Sequence, residues 1–348
     1  MANLWNFCQW IGSGSARVRR TIGAAGGCGA RRGGATMGRV LGPLGHLAAL
    51  AAYGARRGRQ VDHDLDAHRA LTWTTGDGLP RGLTLEWLGT AGFRLTYQGQ
   101  HLLIDPYLTR LPLGDLLRRR VVPADAAALA AVPDPLAILV GHTHFDHALD
   151  VPALARRAGC PVYGSASLAR LMALHGQPER AITVAPHRTY DVGPFAVTFV
   201  PSLHSKLAGG LWVPYGGEIT CEHVDELVPQ AYKCGQVWGI HVAVGGATFY
   251  HQGSCDLIDA EVRHRGVDVL LCGISGRRFT RRYVARLLRA LEPRLVVPHH
   301  FDDFFRPRAA PMAMSLNVNL AGFVDEVSAV SRDFAIKTLG CGQPVGAA

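Results

Sequence analysis

The stretch Leu136–Gly141, LAILVG, is apolar at every position and only six residues long. It has neither the length of a helix nor the alternation of a half-exposed strand, so it reads as a strand buried on both faces. Such strands lie in sheets covered by helices, which makes the chain an α/β layered protein. The run leads straight into His142-Thr143-His144-Phe145-Asp146-His147, where three histidines and an aspartate occupy six positions. A buried strand must turn where it leaves the core. The cluster therefore sits on a strand-end loop, where layered α/β proteins carry their sites.

The flanking sequence supports the same architecture. LTLEWLG, GFRLTYQ and HLLIDP, starting at Leu83 and punctuated by Gly89–Gly92 and Gly99, read as a β-meander. An Arg/Ala-rich helical stretch is expected over Asp115–Ala131, then helices over Asp150–Gly159 and Ser167–His175 with a PVYG strand between them. AITVA, FAVTFV, VWGIHVAV, ATFYHQ, VDVLLCG and RLVVPH supply later strands, with a helix at Thr280–Leu291 between the last two. Lys206–Gly235 is a long, weakly patterned segment, and loops of that size are commonly functional.

A chain of 348 residues that is 48% hydrophobic and 18% charged can bury a large core and is expected to be a folded globular protein. Its net charge of +9 is confined to one end: residues 1–60 hold nine arginines and no acid, and the remainder carries 27 basic and 27 acidic side chains. We therefore divide the chain into a basic N-terminal segment, 1–60, disordered or partly helical, and a catalytic domain, 61–348. Residues 1–36 are Gly- and Arg-rich without periodicity. Val40–Tyr53 is apolar but falls short of the about 20 residues a membrane-spanning helix needs. It is expected to be a helix packed on the domain or lying on a membrane surface, giving peripheral contact through residues 40–60. Only three of the 36 basic residues are lysine, a bias that fits a GC-rich bacterial genome. Eight scattered cysteines without a C-x-x-C pair suit a reduced, cytoplasmic chain, although Cys221 and Cys234 flank one segment and could pair.

His142 and His144, two residues apart, can converge on one metal ion from a loop, while Asp146 and His147 can face a second. Zinc takes such nitrogen and oxygen donors. HTHFDH is also the H-x-H-x-D-H signature of the metallo-β-lactamase superfamily, and the chain resembles that superfamily over roughly residues 83–310. LEWLGTAGFRLTYQGQHLLIDP, VPSLHS and PHHFDDF look like motifs of its branch of ascorbate-6-phosphate lactonase-like and N-acyl-phosphatidylethanolamine phospholipase D-like hydrolases. The resemblance implies a four-layered αββα sandwich and a dinuclear site. One ion, zinc by preference with manganese or iron as alternatives, would lie on His142, His144 and His204. A second would lie on Asp146, His147 and His300, and Asp146 would also orient the nucleophile. The family's bridging aspartate is absent: Gly253 is followed by Ser254, and the next carboxylate is Asp256. Either the loop bulges so that Asp256 bridges, or Ser254 leaves the bridge to water, or the second site is weak. His251 and His299 are expected near the site as supporting or pocket residues. Lys206 is a candidate oxyanion donor from the loop after His204.

The implied activity is metal-dependent hydrolysis, with a metal-bound hydroxide cleaving a phosphodiester, ester or lactone bond. Its alternatives are an iron-dependent redox enzyme of the same fold and a non-catalytic metal-binding relative. A small-molecule or lipid-like substrate is expected and no specific nucleic acid, because the catalytic body is formally neutral. The sequence is silent on oligomeric state.

Overall fold

The computed structural model describes residues 43–206, 212–316 and 318–347, with side chains from residue 57 onward. The expectation of disorder over residues 1–36 falls outside these residues. Helix α1 (Pro43–Leu71) runs well past the apolar stretch seen in the sequence. The boundary placed at residue 60 thus falls inside one continuous helix. Its second half is tied to the body by polar groups: Gln60 Nε2 donates to Asn319 Oδ1 at 2.9 Å, and buried Asp64 accepts from the Ala321 amide at 2.9 Å.

The meander forms as β1 (Leu83–Gly89), β2 (Gly92–Tyr97) and β3 (Gln100–Ile104). Leu85 pairs with Leu95 and Leu95 with Leu102, so the alternating residues of all three strands share one buried face. The single helix expected over 115–131 is two, α2 (Leu113–Arg118) and α3 (Ala126–Ala130). Arg119 closes α2 in a left-handed conformation (φ 55°), and Pro123 then forbids continuation. Asp125 starts α3 by accepting from the amides of Ala127 and Ala128. Next come β4 (Ala137–Leu139), α4 (Phe145–Ala148), α5 (Val151–Ala158), β5 (Val162–Gly164), α6 (Ala166–Leu174) and β6 (Ala181–Thr183). The second half holds β7 (Thr189–Val192), β8 (Phe195–Leu203), β9 (Val237–Val244), β10 (Ala247–Gln252), β11 (Asp256–Leu257), β12 (Val269–Gly273), α7 (Tyr283–Leu291), β13 (Leu295–His299), α8 (Leu320–Ser328), β14 (Ala335–Ile336) and β15 (Pro344–Gly346).

Two mixed sheets result. One has the order β15-β1-β2-β3-β4-β5-β6, antiparallel through the meander and parallel from β3 onward. The other has the order β11-β8-β9-β10-β12-β13-β14, with β7 pairing β8, and turns parallel from β10. Leu85, Phe93 and Leu95 of the first sheet join Phe199, Ile240 and Phe249 of the second in one buried cluster, which also takes in Leu287, Leu291 and Phe323 of α7 and α8. A separate cluster packs Leu103, Ile138 and Val140 against Leu154, Leu168 and Leu171 of α5 and α6. Helices thus flank both sheets. The described cysteines, Cys221 and Cys234 among them, are free thiols.

His241 of β9 stacks on His264 with ring centroids 3.9 Å apart. Burial, then the charge of His264, pushes its pKa down to about 4. A histidine depressed in the folded state contributes stability that is complete above the unfolded value near 6.5, and loses it as pH falls from there toward 4. His241→Gln should therefore show a smaller loss of melting temperature between pH 7 and pH 5 than the parent. Equal losses in thermal melts at the two pH values would refute this.

Candidate metal centre

The chain reaches one end of the sandwich repeatedly, and each time it leaves a strand there it places a polar residue. Asp105 follows β3, His142 follows β4, His204 follows β8, Gly253 and Ser254 follow β10, and His300 follows β13. His144 is the N-cap of α4, whose first turn carries Asp146 and His147. Four non-glycine residues around this end, Thr90, Asp105, Arg110 and His300, have φ between 45° and 61°. Such conformations cost free energy and persist where the surroundings enforce them.

Two trios of donors result. His142, His144 and His204 form one; Asp146, His147 and His300 form the other; in each, the donor atoms lie within 4.8 Å of one another. The rings are packed together, with His142 and His147 centroids 3.8 Å apart, His144 and His204 4.8 Å, and His147 and His300 5.6 Å.

Three of the histidines have an outward partner that can only accept. His144 Nε2–H donates to the Pro214 carbonyl at 2.9 Å, His204 Nδ1–H to the Ser205 carbonyl at 2.8 Å, and His147 Nδ1–H to Asp105 Oδ2 at 2.8 Å. In a neutral imidazole the other nitrogen then carries its lone pair, and in each case that nitrogen is the one available to the cluster. Inside the first trio, His142 Nε2 lies 3.1 Å from His144 Nδ1.

Electrostatics separates the two halves. Burial, reinforced by neighbouring imidazoles, drives the His142 pKa well below its ordinary value, takes His144 down to about 3 and, despite the Ser205 carbonyl, His204 to about 4. These three rings are neutral at physiological pH. In the second half burial opposes charge, but His147 is raised by Asp105 and Asp146. Asp146 is held well below the carboxylate range by His147, His300 and His144 against its own desolvation. Three neutral imidazoles in one trio, and an ionised carboxylate with two imidazoles in the other, are a donor set that fits divalent ions such as zinc.

Asp256 does not join them. Its carboxylate turns away to Arg286 Nη1 at 3.2 Å and to the Leu257 amide at 2.9 Å, because β11 pairs with β8 and points that side chain toward α7. Ser254 lines the cleft, with its hydroxyl donating to the Leu203 carbonyl at 2.9 Å. His251 and His299 are fully buried and stacked on each other, centroids 5.0 Å apart, with His251 Nε2 on the Ala91 carbonyl. They lie behind the donors and cannot touch a substrate. Lys206 is exposed and does not line the cleft.

The resemblance puts Asp105, the end of the HLLIDP strand, near the site without giving it a role. It is fully buried, anchors His147, and accepts from the Gly141 amide at 2.6 Å. An acid ending an apolar strand is the signal that points to its role. Gly253 is fixed by the same contacts. A Cβ there would lie 2.8 Å from Asp105 Oδ2 and 2.9 Å from His251 Cε1, both on fully buried side chains. Gly253→Ala is expected to destabilise the chain by about 1–3 kcal/mol and to lower metal occupancy in the His147 half. Urea unfolding and metal content read the two effects separately, and parental values in both would contradict this account of the site.

His144, Asp146, His147, His204 and His300 line a cleft of about 990 Å³. Its walls include Leu113, Leu116, Phe304 and Phe305, and its cations are Arg57, Arg119, Lys233 and Arg306.

Comparison with known proteins gives concordant matches. The beta-lactamase superfamily domain family matches residues 100–301. A UPF0173 metal-dependent hydrolase of Methylobacterium nodulans is 30% identical over 66% of this chain and 89% of its own length. Another from Anaeromyxobacter dehalogenans is 30% identical over 76% of this chain and 88% of its own. Among solved structures, CmlA, a diiron beta-hydroxylase from Streptomyces venezuelae, superposes with a TM-score of 0.51 at 14% identity, covering 76% of this chain and 54% of that one. The last is a likeness of fold alone.

Proposed function

The chain belongs to the metallo-β-lactamase superfamily and, within it, to the UPF0173 metal-dependent hydrolases, and we propose that its two donor trios hold two zinc ions for cleavage of a phosphodiester, ester or lactone bond. The observation that carries the proposal is the set of acceptor-only partners, Pro214, Ser205 and Asp105, which leave the inner nitrogens of His144, His204 and His147 free as ligands. Bound zinc supplies Lewis acidity and a water whose pKa is brought down to about 7.

The rest is the work of side chains. Asp146 stays ionised at the cleft wall, so beyond its place in the trio it can accept a hydrogen bond from the attacking water and direct it. Arg119, Arg306 and Lys233 can attract an anionic substrate, and the leucines and phenylalanines of the wall can take an apolar portion. Ser254 offers a small polar surface where a bridging carboxylate would otherwise stand.

The test is a substrate panel. Protein stripped by chelator and reloaded with zinc should hydrolyse at least one of bis(4-nitrophenyl) phosphate, a 4-nitrophenyl ester or a simple lactone, with activity lost on stripping. Stoichiometric iron together with oxygen-consuming turnover would replace this reading with the redox alternative.

A further inference from the structure

We infer that the rim of the cleft around α2 is a docking surface for an anionic lipid bilayer. Three large apolar side chains that folding leaves exposed are Leu117 at 37%, Val121 at 40% and Trp212 at 39%. Leu117 and Trp212 line the same opening, and Val121 lies just beyond the end of α2. Single exposed apolar residues are ordinary, but Leu117 and Trp212 line one cavity with apolar walls, and Val121 follows Leu117 closely in the chain. Between Leu117 and Val121 the chain carries Arg118, Arg119 and Arg120, all exposed. Among the described residues neither Arg118 nor Arg119 forms an ion pair, and Arg120 reaches Asp115 only at 3.6 Å.

An indole, a leucine and a valine beside the guanidiniums of Arg118 and Arg119 suit the boundary between headgroups and acyl chains, where the apolar parts insert and the cations meet anionic lipid. Arg57 and Arg306 extend the positive rim; Glu226 and Asp303 are the acids that line the cleft besides Asp146. Arg57 lies on α1, in the segment where residues 1–60 have no acid, so the charge of the rim continues into the N-terminal part of the sequence. No helix among the described residues is long and apolar enough to cross a membrane. The contact is with a surface. It is independent of the hydrolase reading, since docking requires neither metal nor turnover.

The experiment is co-sedimentation of the full chain with vesicles of phosphatidylglycerol and phosphatidylcholine, compared with phosphatidylcholine alone, at physiological ionic strength. Binding should need the anionic lipid and fall about tenfold or more in the Leu117→Asp/Val121→Asp variant. Lipids brominated in the acyl chain should quench tryptophan fluorescence in the parent and markedly less in Trp212→Phe, a conservative change at an exposed site. Absence of vesicle binding would overturn the inference, as would equal binding to phosphatidylcholine alone. So would parental binding and quenching in both variants, which would assign attachment to the arginine-rich N-terminal segment. Binding of RNA without binding of vesicles would overturn it too.

Discussion

Arg110→Met is expected to destabilise the folded chain by about 3–5 kcal/mol, the usual cost of leaving a buried charge without its partner. Arg110 and Asp302 are 192 residues apart in sequence and form a buried ion pair at 2.7 Å. Asp302 also accepts from the Thr90 amide at 2.9 Å, and Arg110 Nη1 donates to the Thr90 hydroxyl at 2.7 Å. The Thr90 carbonyl in turn accepts from the His300 amide at 2.8 Å. The pair therefore holds the first turn of the meander against the loop that presents His300. Gly89 makes this approach possible: with φ 92°, a Cβ on it would occupy the place of the Arg110 guanidinium. Methionine removes the charge and keeps much of the volume, so the loss measured by urea unfolding isolates electrostatics from packing. Arg110→Met/Asp302→Asn should recover part of it, because no unpaired carboxylate stays buried. A single variant with parental stability would show that the pair carries no such weight.

Asp105→Asn is the second large expected effect, a fall of about 10–100-fold in metal affinity of the His147 half. The substitution is nearly isosteric, and asparagine tolerates the left-handed backbone at this position (φ 45°). An amide can still accept from the Gly141 amide, so the fold should persist. What is lost is the carboxylate that fixes the His147 tautomer and strengthens its inner nitrogen as a donor. Competition with a chelating dye should show one weakened ion and one unaffected ion, because Asp105 does not touch His142, His144 or His204. Uniform weakening of both, or of neither, would contradict the division into two trios.

The parts of the site legible in the sequence are those that local spacing determines. HTHFDH compresses four donors into one strand-end turn, so residue order alone brings them together. His204 and His300 were reached through resemblance, since nothing in their neighbours' types distinguishes them from His299 or His251. The supporting shell was not legible. Two of the three groups that orient the histidines are backbone carbonyls, of Pro214 and Ser205, which leave no mark on residue type. The Arg110–Asp302 pair depends on which strand-end loops meet, a property of topology. Asp256 misled because proximity in sequence to the expected bridge says nothing about side-chain direction; pairing of β11 with β8 turns it to Arg286. Residue 60, where charge composition changes, lies inside the continuous helix α1. The second half of α1 sets Val61 and Leu65 against the core and is also held through Gln60 and Asp64, whose partners Asn319 and Ala321 lie far along the chain.

The central claim is that the two trios are two metal sites, and counting ions in the purified full chain tests it most directly. Elemental analysis after zinc loading and removal of excess should find two ions per chain in the parent. His142→Ala and His300→Ala should each retain one, and the double variant none. A parent that holds a single ion, with that ion surviving either single substitution, would contradict the account.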